Sequence, residues 1–161
     1  MKKIINPWIG LEKEGYNCIG CAPNNPYGLK MEFYEDGDDI VSFWTPSENY
    51  QGWLHTLHGG IQSLLIDEIA GWLVARKLQT SGMTTNLEVK FKRPIATGLD
   101  VTLEIRARLT GVRHNLASIS SQILCNGQLC TSGELTYFCF SKEKAAADFY
   151  FTACHTVDEE M

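Results

Sequence analysis

Hydrophobic and polar positions along the chain follow two periods. "LKMEFY" (Leu29 to Tyr34) and "IVSFWT" (Ile40 to Thr45) alternate as strands do, and "DGDD" (Asp36 to Asp39) between them predicts a turn. From Ile61 to Leu78 the period lengthens. Ile61, Leu64, Leu65, Ile69, Trp72, Leu73 and Ala75 cover more than one stripe of a helix, with no proline to interrupt it. Arg76 and Lys77 in the last turn suit the negative end of the helix dipole. Alternation then returns in "TTNLEVKFKRPI", "DVTLEIRARLTG", "NLASISSQILC" and "QLCTSGELTYFCF", the last two joined by the hairpin dipeptide Asn126-Gly127. A helix apolar on most sides needs wrapping, and long antiparallel strands with one dry face can supply it. The predicted class is therefore α+β, a long central helix inside a curved antiparallel sheet.

Residues 1–35 read as a loop-rich lead-in, dense in turn formers from Pro23 to Gly28; 29–141 read as the domain proper, and 142–161 as a C-terminal extension. The 161 residues suffice for one core, and an apolar fraction of 44% argues against disorder. A net charge of -5 argues against a broad nucleic-acid surface. The N-terminus lacks a signal peptide's apolar core, and no run approaches the roughly 18 apolar residues of a membrane span. A cytoplasmic location with no membrane partner is the expectation.

Without a secretion signal, the six cysteines are expected to be free thiols. "CIGC" (Cys18 to Cys21) also reads as half a zinc site, for which "CNGQLC" (Cys125 to Cys130) is the only second pair. That pair spans a turn between alternating runs, a poor zinc knuckle. Thiols in a loop and a sheet, with no metal, remain the favoured reading.

The stretch "LHTLHGGIQSLLIDEIAGW" (Leu54 to Trp72) sets Asp67 and Glu68 inside a helix made for burial, where a carboxylate is costly unless paired or used. At the start of that helix, the unpaired amides of Gly59, Gly60 and Ile61 offer a site for developing negative charge, left bare by the glycines. His58 and Asp67 are nine residues apart, about 13.5 Å and on roughly opposite faces. One chain cannot bring both ends to one reaction centre. Two chains with antiparallel central helices can, which predicts a dimer with two composite sites. The milder reading, a solvated Asp67 and a simple turn at "HGG", stays open on spacing alone.

"QGWLHTLHGGIQSLLIDE" resembles the hotdog-fold thioesterases, in their PaaI-like and 4-hydroxybenzoyl-CoA thioesterase-like branch, whose hallmark is HGG with an acid nine residues after the histidine. "NCIGCAPNNPYGLKMEF" and "GMTTNLEVKFKRPIATG" resemble the family's opening loop and the strand after its helix, so the likeness runs from about Asn17 to Ser141. The resemblance implies a hotdog fold with a sheet of five to six strands, and homodimers that can pair into tetramers. It implies hydrolysis of an acyl-CoA thioester with no cofactor beyond the coenzyme A of the substrate. It casts Asp67 as general base or nucleophile, Gly59 with Gly60 of the partner chain as oxyanion donors, and His58 as shaping that loop or bonding the carbonyl.

Gln51 stands near the asparagine of many relatives, and a hydroxyl after the helix, Thr84 ahead of Thr85, is expected to orient the acid. Glu68 differs from Asp67 by about 100° around the helix and is read as a structural or supporting acid. For coenzyme A phosphates the candidates are Lys92, Arg93 and Thr85, with Arg113 and His114 expected in a turn nearby. Trp53, Trp72 and the aromatics near Tyr137 are read as core packing ahead of an acyl pocket. Two alternatives are carried. One is an acyl-CoA-binding domain without turnover; the other, the hydratase branch, needs a differently placed Asp/His pair that this chain lacks.

Overall fold

The computed structural model describes residues 1–159. Seven strands form one antiparallel sheet: β1 (Lys2–Lys3), β2 (Tyr34–Asp36), β3 (Asp39–Trp44), β4 (Gly82–Phe91), β5 (Leu103–Arg113), β6 (Leu116–Cys125) and β7 (Gln128–Cys139), in the order β1-β2-β3-β5-β6-β7-β4. Five or six strands were expected. The extra one is the two-residue β1, too short to carry a period. The expected strand over Leu29–Tyr34 is mostly not laddered. Leu29, Met31 and Phe33 are buried, but Leu29 and Met31 donate their amides to the carbonyls of Ile19 and Gly20 in the preceding loop.

The helix α1 (Gly59–Leu73) lies across the concave face of the sheet and continues as a π-helical turn over Val74–Leu78. Leu65, Ile66, Ile69, Ala70 and Leu73 are fully buried, each large side chain contributing roughly 1.5–3 kcal/mol. At Gly133 of β7 the helix comes so near that a β-carbon would sit 2.5 Å from Ile66 Cγ2. Only glycine lets strand and helix approach this closely. His58 caps the helix start, its Nδ1 accepting from the Gly60 amide at 2.8 Å. Below it, buried Gln62 donates to Leu57 O and accepts from Thr131, tying the first turn to β7.

The C-terminal segment is an integral layer. Ser141 caps α2 (Lys142–Phe149), and Phe151, Cys154 and Thr156 are buried where the chain returns to bridge Ile4. Arg76, from the π turn, binds Glu35, Glu159 and the Cys154 carbonyl. No helix among the described residues is long and apolar enough to cross a membrane.

Candidate active site

Asp67 and Glu68 leave α1 in different directions and meet different partners. Thr84 Oγ1 donates to Asp67 Oδ1 at 2.7 Å, and Tyr137 Oη lies 2.7 Å from Oδ1 and 2.8 Å from the Asp67 carbonyl. Thr84 of β4 and Tyr137 of β7 are cross-strand partners, so one position in the ladder supplies both hydroxyls. A bulge between Thr84 and Asn86 separates the two threonines: Thr84 faces the acid, while the exposed Thr85 donates to Thr136 O. Burial raises the Tyr137 phenol, with the Asp67 charge adding to it, so the group stays a donor. Asp67 Oδ1 is thus held twice, whereas Oδ2 makes no hydrogen bond among the described residues.

Glu68 points instead to the N-terminal loop. Cys18 Sγ donates to Glu68 Oε1 at 3.2 Å, and Cys21 Sγ closes the group. Burial first, and the Cys18 charge second, push the Glu68 carboxyl up to about 8. A hydrogen bond from Cys21 lowers the Cys18 thiol and correspondingly raises Cys21. Cys125 and Cys130, the second pair weighed in sequence, are not part of this cluster.

Asp67, Thr84 and Tyr137 open onto a cavity of about 600 Å³, whose apolar wall includes Trp8, Trp72 and Phe149. Trp72 serves both as wall and as core, stacked on Phe33 at 4.3 Å. Core packing fails for Trp53, which is 80% exposed in the loop before α1.

The other candidates lie elsewhere. Of the nine site residues read from sequence, Asp67 and Thr84 line the cavity; Gln51, His58, Gly59 and Gly60 sit at the far end of α1. There the Gly60 amide is taken by His58, while the Gly59 amide has no acceptor among the described residues. The Gln51 carboxamide accepts from the His55 amide. Lys92 and Arg93 follow β4, exposed, with both amides on Cys130 O. Arg113 and His114, expected in a turn near them, lie at the opposite end of the sheet. The ladder sets Phe91 beside Thr131 at one end and Arg113 beside Leu116 at the other, roughly a strand length of 30 Å away.

Residues 54–130 match the sequence profile of the thioesterase superfamily. Over that segment the chain is similar to the thioesterase superfamily. Among solved structures, a thioesterase superfamily protein is 27% identical over 83% of this chain and 68% of that one, with a TM-score of 0.69. A hypothetical thioesterase from Streptococcus pneumoniae, solved with coenzyme A, is 18% identical over 69% of this chain and 89% of that one, at TM-score 0.62. A mutant form of the phenylacetic acid degradation protein PaaI from Thermus thermophilus is 17% identical over 70% and 95%, at TM-score 0.63. The latter two likenesses speak for the hotdog fold, which this chain shares. No curated protein matches the sequence.

Tyr137 was missed as a site residue. In the alternation Thr131, Gly133, Leu135, Tyr137 it reads as one more core position, and only the pairing of β7 with β4 brings it to the acid.

Proposed function

We infer that the protein hydrolyses acyl-CoA thioesters in a homodimer with composite sites. The observation that carries this reading is Asp67, which lines the cavity and is held at Oδ1 by two hydroxyls while Oδ2 has no hydrogen-bond partner among the described residues. In the proposed reaction Asp67 Oδ2 takes a proton from water as its oxygen adds to the thioester carbon; direct attack by the carboxylate is the covalent variant. The tetrahedral oxyanion accepts from the Gly59 amide at the helix start of the partner subunit, a donor worth several kcal/mol at such centres. Collapse breaks the C–S bond, and coenzyme A leaves as thiolate to be protonated. The reaction itself needs no metal or redox group.

The dimer is supported by β4. It is the edge of the sheet, ten residues long, with Met83, Leu87 and Phe91 exposed by 53%, 39% and 55%. An exposed apolar edge of this length is a template for pairing. Phe91, at one end of β4, lies against Gly59, while Thr84, near the other end, holds Asp67. Antiparallel pairing of two such edges brings the Gly59 of one subunit toward the Asp67 of its partner. Lys92 and Arg93 would travel with it as candidates for the coenzyme A phosphates.

Thiol release and binding, measured on the same panel of short, long and aromatic acyl-CoAs, test the reading. Turnover on one class supports it. Binding without thiol release replaces it with the non-catalytic alternative.

A further inference from the structure

The proposed reaction leaves Glu68, Cys18 and Cys21 without a task. We propose that these three residues form a zinc site, in which the "CIGC" turn supplies two thiolates and α1 the carboxylate. This is independent of the hydrolytic reading.

The donor atoms are already assembled. Sγ of Cys18, Sγ of Cys21 and a Glu68 oxygen lie within 4.8 Å of one another, so a single point lies within about 2.8 Å of all three. Zinc requires about 2.3 Å to sulfur and about 2.0–2.2 Å to oxygen, which inward movement of about 0.5–0.8 Å by the donors reaches. Two cysteines at this spacing with one oxygen donor suit zinc, whose filled shell imposes no geometry beyond the tetrahedron.

The surroundings are built for ligand sulfurs. The Gly20 amide donates to Cys18 Sγ at 3.3 Å. Asn6 Nδ2 donates to the Tyr16 hydroxyl at 2.8 Å, which leaves the phenolic proton to point at Cys21 Sγ, 3.1 Å away. Each sulfur therefore has a donor aimed at it, the outer arrangement that orients and tunes metal ligands. The loop is also pressed onto the acid: a β-carbon at Gly20 would sit 2.4 Å from Glu68 Cδ, so a larger residue there would displace the carboxylate. Glu68 has no ion-pair partner among the described residues. A divalent cation would offset its charge and that of the thiolates.

All three side chains border the cavity, which leaves the fourth coordination position for a water from that side. Binding releases the thiol protons to solvent and involves no oxidant or reductant. The metal would staple the N-terminal loop to α1 one residue from Asp67, fixing the wall of the cavity. It replaces both the expectation of free thiols at these positions and the idea of a Cys125–Cys130 partner.

The test is metal content of the purified, reduced full chain after zinc loading and exhaustive dialysis, by elemental mass spectrometry. One zinc per chain is expected. The Cys18→Ser/Cys21→Ser variant should lose it, Glu68→Gln should bind at least tenfold more weakly, and Cys125→Ser/Cys130→Ser should retain it. Because the first variant can misfold, cobalt titration of the wild type gives a second readout: a thiolate-to-cobalt charge-transfer band is expected at one equivalent. Absence of that band in folded, reduced wild type overturns the proposal. Zinc retained by folded Cys18→Ser/Cys21→Ser at wild-type stoichiometry overturns it as well.

Discussion

Thr84 of β4 and Tyr137 of β7 face one another across the ladder and converge on the same oxygen, Oδ1 of Asp67. The acid in the middle of an otherwise buried helix is thereby fixed in one rotamer, with its second oxygen left for solvent or substrate.

Removing one of the two hydroxyls loosens that rotamer. A hydrogen bond to a charged group contributes about 1.5–3 kcal/mol, so Thr84→Val should lower kcat roughly 10–100-fold with KM little changed. Thr85→Val, whose hydroxyl serves only the bulge, should stay within about twofold. Steady-state thiol release on both variants separates them; equal losses would mean that the bulge has been assigned to the wrong threonine.

Tyr137→Phe keeps the ring in the core and deletes only the phenolic oxygen. Activity should fall about tenfold or more while Tm moves little, since the aromatic packing is preserved. A large drop in Tm with unchanged kcat would make the hydroxyl structural alone.

Much of this was legible in advance, and the misses share a cause. Leu65, Ile69, Trp72 and Leu73 announced the helix by period, and the alternation of Leu103, Ile105 and Ala107 announced β5. Periodicity reports which side of a segment is buried, and it is silent on what the backbone pairs with. Hence Leu29, Met31 and Phe33 read as a strand although the Leu29 and Met31 amides bond a loop. The tail carries few large apolar residues, so its docking through Phe151 and Cys154 left no periodic trace. The meeting of Tyr137 with Asp67, and of Cys18 with Glu68 fifty positions away, depends on register and on a turn, neither of which a single sequence displays.

Gly133→Ala places a methyl group against Ile66. Overpacking of this kind costs about 1–3 kcal/mol, and thermal unfolding should show Tm lowered by several degrees. An unchanged Tm would mean that α1 sits farther from β7 than described.

Acid should weaken the tail's anchorage. Hydrogen bonds from Arg76 hold Glu35 below the usual carboxylate range and Glu159 down at about 2. The unfolded chain, with ordinary carboxylates near 4.3, therefore takes up these protons first as the pH falls. Stability from the cluster is present above about pH 4.5 and is lost progressively toward pH 2. Glu35→Gln should lower Tm by about 2–4 °C at pH 7, and the gap should shrink progressively as the pH falls from about 4.5 toward 2. A constant gap across that range would contradict the assignment.

The central claim is that Asp67 carries the chemistry. Thiol release by Asp67→Asn beside wild type, with both shown to be dimeric by native mass spectrometry, tests it most directly. The account predicts a loss in kcat of about 10²–10⁴-fold, the range of a general base, with acyl-CoA still bound. An Asp67→Asn dimer that turns over within tenfold of wild type would contradict it.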